Sequence, residues 1–511
     1  SDVTTEDEIL RGRYTYSQVK QDALEGNLLV TWSRNIGKHF ATASAGVSMS
    51  DSRSVVYGFT AQGFGGNDAS EPAYAEGYEE GGVPNNSEGH TRLASFFASA
   101  NYAFDSRYLF DFSYRLDGSS QFGSAENVAP FYSIGLGWNV HNEAFIRKLN
   151  FVNVLKLRAT YGELGSISFS PYQAKDIYAA TKNDRYDGNI GVVLQGLGNE
   201  NLRWQTTKSY DFGLTLGLFD RFDFSLSFYK KETHDMVLPV TTPPSVGFDS
   251  FTENLGRMRN TGYELSLRAF AIKKKTFNVS VFLNASHNKN KILSISSALE
   301  SYNKSIDNSE GKTENEYKQA SHKFLTKYEE GQSTTAIYAV RSLGIDPMTG
   351  EELFLTKEGK PTWIWNALDK IVVGDTEPKI RGTFGVNVGW KGLYMNATFA
   401  YQYGGEAYNQ TVVDKVENSN KYQNVDKRVL TETWQKPGDV VKYKANVTSR
   451  LVQYFTYASS RFVQDLNYLQ FSSFSLQYEM PKNWISCLRM ESLRFSFNMS
   501  DLFYWSTVKR E

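Results

Sequence analysis

The side chains best able to do chemistry are scattered here. The six histidines, His39, His90, His141, His234, His287 and His322, show no ligand spacing, and neither His-Glu-x-x-His nor Cys-x-x-Cys occurs, so no metal centre is expected. Cys487 stands alone, which rules out an internal disulfide. Asp111 and Asp117 fall on one face of an extended run. A glycosidase needs two carboxyls about 5 to 10 Å apart. Six residues of strand, at ~3.3 Å each, set these nearer 20 Å apart. Gly63-Phe64-Gly65-Gly66 neither follows a buried parallel strand nor opens a helix, so it reads as a loop rather than a phosphate cradle. Asn278-Val279-Ser280 lies within a strand, and Lys273-Lys274-Lys275 reads as a solvated turn. The expectation is no catalytic residue, no metal, no cofactor and no enzyme.

What remains is polar contact along a surface. Asp111, Arg115, Asp211, Asp223, Glu264 and Arg268 alternate with aromatic and aliphatic residues. In a strand, such alternation puts all six on the face opposite the apolar one. Two readings apply to them: contact with a solute or an internal plug, or wall lining with charges paired between neighbouring strands. Trp363 and Trp365, in a long polar stretch, are candidates to stack on a sugar ring through their aromatic faces.

These residues must be positioned by strands. Tyr108, Phe110, Phe112, Tyr114 and Leu116 share one side of a segment whose other side carries Asp111, Ser113, Arg115 and Asp117. The same figure recurs at Tyr210–Leu218 with Phe222–Phe228, at Tyr263–Ala269 with Phe277–Leu283, and at Phe384–Trp390 with Leu393–Tyr401, each pair joined by a short turn. Strands of roughly 10 to 12 residues suit a tilted bilayer crossing. The second face collects Ser, Asn, Gly and Asp rather than the Lys and Glu of a solvated sandwich, as a wet lumen would. No run approaches the ~18 uninterrupted apolar residues of a membrane helix. The 55 Lys and Arg against 56 Asp and Glu leave a charge of −1, so no basic stripe for nucleic acid is expected.

Connections alternate in length. Gly37-Lys38, Asp105-Ser106-Arg107, Asp220-Arg221, Ile272 to Lys275 and Lys391-Gly392 are tight. The stretches near Asp51–Thr91, Gly165–Thr206, Lys231–Arg257, Asn288–Lys379 and Gly404–Asp465 read as long loops. Short periplasmic turns and long external loops are the outer-membrane pattern. Ile337–Gly344 would break the parity if it crossed, so it is assigned to an external loop. This yields an all-β, antiparallel transmembrane barrel wall of about fourteen strands, from near Asn27 to near Ser500.

Specific runs carry a family resemblance. Arg115-Leu116-Asp117-Gly118-Ser119-Ser120-Gln121-Phe122-Gly123, Leu155 to Gly162, Leu202 to Thr207 with Asp211-Phe212-Gly213, and Asn254-Leu255-Gly256 with Asn260 to Leu265 come in order. Trp434 to Asp439, Ser459-Ser460-Arg461-Phe462-Val463 and Ser500 to Ser506 follow. The series resembles the barrel of SusC/RagA-type TonB-dependent outer-membrane transporters. Glu163-Leu164-Gly165, Glu200 and Gln121 depart from the family's usual residues.

The resemblance implies a barrel of about twenty-two strands around an N-terminal plug, in the bacterial outer membrane. It implies import of oligosaccharides or oligopeptides with a SusD-like surface lipoprotein as lid, driven through TonB. It also implies that residues 1–511 form part of one barrel domain whose plug, first strands and closing strand lie outside this stretch. Two other readings stay open: a passive porin-like or split barrel channel, and a soluble β-rich carbohydrate-binding surface protein, the last suggested by a mean hydropathy of −0.45.

Overall fold

The computed structural model describes residues 12–64, 71–78, 84–123, 127–186, 189–241, 250–254, 256–295, 300, 303–304, 327–419, 425–445, 456–486 and 489–508. Fourteen long strands form its wall: β1 (Arg13–Ile36), β2 (His39–Phe64), β3 (Asn85–Phe104), β4 (Tyr108–Ser119), β5 (Val128–Asn139), β6 (Val152–Ser166) and β7 (Gln205–Leu218), then β8 (Phe222–His234), β9 (Arg257–Lys273), β10 (Phe277–Ser294), β11 (Ile380–Trp390), β12 (Leu393–Tyr408), β13 (Val463–Glu479) and β14 (Arg494–Ser506). They lie side by side in chain order, every neighbour antiparallel, and Ala75–Tyr78 adds a short strand to β2. Alternating β-branched and aromatic residues favour this pleated arrangement.

Turn chemistry sets the register. Asp105 and Ser106 both take positive φ, 51° and 54°, and so do Lys391 and Gly392, 44° and 90°. Two consecutive left-handed residues make the turn whose twist matches that of the flanking strands. Tyr108 is thereby placed opposite Phe104, and Leu393 opposite Trp390.

Strand length departs from the expected 10 to 12 residues: β1 has 24, β2 has 26 and β3 has 20. The stretch read as a loop from Asp51 to Thr91 is largely strand, with Asp51 paired to Arg92 and Gly58 to Asn85. There Val55, Val56 and Tyr57 follow one another after a polar run, so the two-residue hydrophobic pattern breaks while the backbone ladder does not. Gly63 and Phe64 accordingly end β2, and Gly65 and Gly66 lie outside the described residues. The long loops likewise hold structure of their own, including the hairpins Ile177–Tyr186 with Asn189–Gly196 and Val237–Thr241 with Ser250–Asn254.

Two connections at the tight-turn end are longer than the rest, 140–151 and 480–493. The first is anchored by Glu143, which accepts from Tyr108 Oη at 2.9 Å and Trp138 Nε1 at 3.1 Å. These bonds hold its carboxyl below the ordinary range. Ile337–Gly344 belongs to a separate four-stranded sheet made by Ala336–Ile345, Glu352–Leu355, Pro361–Thr362 and Lys370–Asp375, off the wall.

The two faces of the wall are unlike. On one, Phe96, Phe110, Phe112, Tyr210, Phe212, Phe384 and Phe497 stand open at about 37–54 % exposure. On the other, at the long-loop end, Phe122, Phe131, Ala174, Leu202, Trp204 and Val237 close a core against Leu93 and Ala129. Loops folding over one face and leaving the aromatic face bare distinguish the inside of a barrel from its lipid side.

Candidate functional site

All six charged candidates lie on the loop-covered, inner face. Register puts Asp111 beside Gly135, Arg115 beside Phe131, and Asp223 opposite Arg268. Glu264 sits between Ser227 and Ser286. Arg115 Nε is 2.5 Å from Asp117 Oδ1, and its Nη2 donates to Ser95 at 2.9 Å. Asp211 is met at 3.4 Å by Arg158, which also donates to Ser227 at 2.9 Å. Arg158 was not singled out from sequence, although it stands in the Leu155–Gly162 run. The missing signal was pairing: Arg158 lies opposite Gly213, whose bare Cα leaves room for the guanidinium.

Small polar groups complete the inner ladder. Ser113 and Ser133 hydroxyls meet at 2.6 Å, Asn396 donates to Asn387 at 2.5 Å, and Ser475 donates to Asn498 at 2.8 Å. Short side chains that bond across strands line a passage without closing it. The histidines take local roles: His39 meets Tyr102 Oη at 2.7 Å, His90 meets Asp51 at 2.8 Å, and His287 meets Lys379 O at 2.6 Å. Among the described residues no cluster of His, Cys, Asp or Glu has metal-ligand geometry. His322 and Cys487 lie outside them.

Over the outer end, the loop between β10 and β11 docks on the loop between β12 and β13. Val340 bridges Ser459 in parallel, Ser460 Oγ accepts from Ser342 N at 3.0 Å, and Trp365 Nε1 donates to Ala458 O at 3.1 Å. Trp365 also stacks on Tyr457, ring centroids 4.9 Å apart. Trp363, in contrast, is 49 % exposed and flanked by Ile364 at 76 %.

Arg461 is the keystone. Its guanidinium lies 2.8 Å from Glu352 of one loop, bonds both carboxylate oxygens of Glu417 in the other, and donates to Lys442 O at 2.8 Å. Thr456 Oγ1 donates to Glu417 at 2.9 Å. Burial alone would push the Glu417 carboxyl up, but Arg461, Lys444 and Thr456 hold it below the ordinary range. Burial would equally lower Arg461, yet the two carboxylates keep it raised. Sequence placed Arg461 in a family marker without assigning it a role, because Glu352 and Glu417 are far from it in the chain.

The description TonB dependent receptor-like, beta-barrel fits residues 2–339 of the chain. The chain belongs to that family. TonB-dependent receptor P3 of Formosa agariphila is 28% identical over 81% of this chain, and TonB-dependent receptor SusC of Bacteroides thetaiotaomicron 31% over 39%. The solved RagAB peptide transporter superposes over 97% of this chain and 53% of that one, with a TM-score of 0.81 at 23% identity, a likeness of fold. The chain spans 42% of the length of the Formosa relative. As a TonB-dependent receptor barrel it is an outer-membrane protein, so the bare aromatic face meets lipid and the soluble carbohydrate-binding reading is set aside.

Proposed function

We propose that this chain supplies wall and outer loops to an energised importer of oligosaccharides or oligopeptides. TonB drives it through a plug, and a SusD-like lipoprotein closes over the outer loops. The observation that carries the reading is the pairing of a polar inner ladder with a braced canopy at its outer end. A passive pore needs the ladder alone; a canopy locked by a buried Arg461 cluster suits a site where solute is held before passage. Trp363, exposed on that canopy, is the side chain we assign to solute contact, whereas Trp365 is engaged with Tyr457 and Ala458.

Uptake of labelled maltooligosaccharides and of labelled oligopeptides by cells producing the protein tests this. Uptake of either pool that stops on dissipating the proton-motive force supports the importer. Energy-independent uptake of both, with steady ion conductance in planar bilayers, identifies a passive channel instead.

A further inference from the structure

The outer, lipid-facing side of the wall carries a groove that the transport reading does not use. Gly26, Met49, Ala94, Gly118 and Val128 form one straight cross-strand row over β1 to β5. Three of the five have little or no side chain, so the row sinks at Ala94 and Gly118, between the projecting Met49 on one side and Val128 on the other. The resulting apolar groove has a volume of about 680 Å³. The inner side at this level is closed, since Ser119 is buried and Leu93 packs against the loop core. The groove therefore opens toward the membrane.

Its height follows from the register. Gly118 is eleven residues beyond Arg107 of the periplasmic turn. That is about 36 Å along the strand, or roughly 27 Å along the membrane normal at a ~40° tilt. The row thus stands at the outer edge of the hydrocarbon, continuous with the aromatic face below it. One rung higher the same side turns polar: Asp51 pairs with Arg92, and Ser120 Oγ accepts from Arg92 N at 2.9 Å. Asp51 bonds Arg92 Nε at 3.0 Å and His90 Nε2 at 2.8 Å, which fixes both side chains in place. A second, smaller cavity of about 140 Å³ adjoins the groove there, lined by His90, Arg92, Ser120 and Lys175 among others.

We infer that this is a binding site for a phosphorylated outer-leaflet lipid: an acyl chain fills the groove and the phosphate sits among Arg92, Lys175 and Ser120. An apolar slot at hydrocarbon height capped by cations at headgroup height matches the apolar and charged parts of such an amphiphile. Asp51 uses only Nε of Arg92, leaving the guanidinium's Nη groups for a bidentate anion. The glycine of the Arg115–Gly123 signature thereby has a use: Gly118 keeps the floor open.

The test is native mass spectrometry of the detergent-extracted protein with diphosphorylated lipid A as probe. Gly118→Leu fills the groove without strain, because a Cβ there meets Val128 Cγ2 at 3.5 Å and Ala94 O at 3.7 Å. Arg92→Gln removes the headgroup contact. Unchanged heat-modifiable migration reports folding of each variant. Wild type should retain the lipid, with retention about ten-fold weaker in both variants. Retention by Gly118→Leu equal to wild type overturns the inference. So does full displacement by inorganic phosphate alone, which identifies a free-anion pocket. A Gly118→Leu protein that loses a second copy of the chain instead of lipid overturns it in favour of a contact between barrels. None of these readouts depends on which cargo is imported.

Discussion

Replacing Arg461 by Met should open the outer canopy while sparing the wall. The Glu417 side chain is 0% exposed and that of Glu352 6%, and both lean on this one guanidinium. Removing one partner of a buried pair costs about 3–5 kcal/mol, because Lys444 alone then faces two carboxylates that water does not reach. At 1.4 kcal/mol per decade that raises the local opening constant by about 100- to 4,000-fold. Hydrogen exchange of the Ala336–Val340 amides, paired to Lys370–Asp375 beneath the cluster, reads the opening directly. Amides of β4 serve as the internal reference and should keep wild-type protection. Adding Glu417→Leu to Arg461→Met should restore part of the lost protection, since the stranded carboxylate goes with its partner. A fall of less than ten-fold in Arg461→Met, or an equal fall in β4, would refute the assignment of Arg461 as the loop keystone.

Phe112→Arg, near mid-height on the lipid face, should destabilise the wall by about 2–4 kcal/mol, whereas Ser113→Arg on the inner face should be tolerated; urea titration of vesicle-inserted protein compares the two. Leu202 is fully buried in the loop core with Phe122 and Trp204, so Leu202→Ala should cost about 2–5 kcal/mol and speed proteolysis of 167–204 without loosening β6 or β7. Asp426 is held at about 2 by the Arg428 guanidinium at 2.8 Å and the Arg428 backbone N–H. Its folded value lies below the ordinary carboxylate one, so its stabilisation is complete above pH 4 and lost as pH falls through about 2. Pepsin cleavage around Leu430 should rise steeply over that window and become pH-independent in Asp426→Asn.

Much of the wall was legible in the chain. Period-two alternation assigns each residue to a face with no knowledge of its neighbours, and left-handed turn residues such as Asp105-Ser106 and Lys391-Gly392 fix where one strand hands over to the next. Hence fourteen antiparallel neighbours, the inward set from Asp111 to Arg268, and the exclusion of Ile337–Gly344 from the wall all followed from local pattern. The upper reaches of β1 to β3 did not, because above the lipid the two faces meet similar surroundings and hydrophobic contrast vanishes while backbone pairing continues.

Everything that depends on contact between distant segments was decided by the tertiary structure. Arg158 meets Asp211 only because β6 and β7 align at Gly213; Arg461 meets Glu352 across 109 residues of chain; and the groove exists because Gly26, Ala94 and Gly118 fall on one row. Alternation encodes the direction in which a side chain points, a local property of the backbone. Its partner is set by register and loop docking, which sum many weak contacts over the whole wall, and no single stretch of sequence carries that sum.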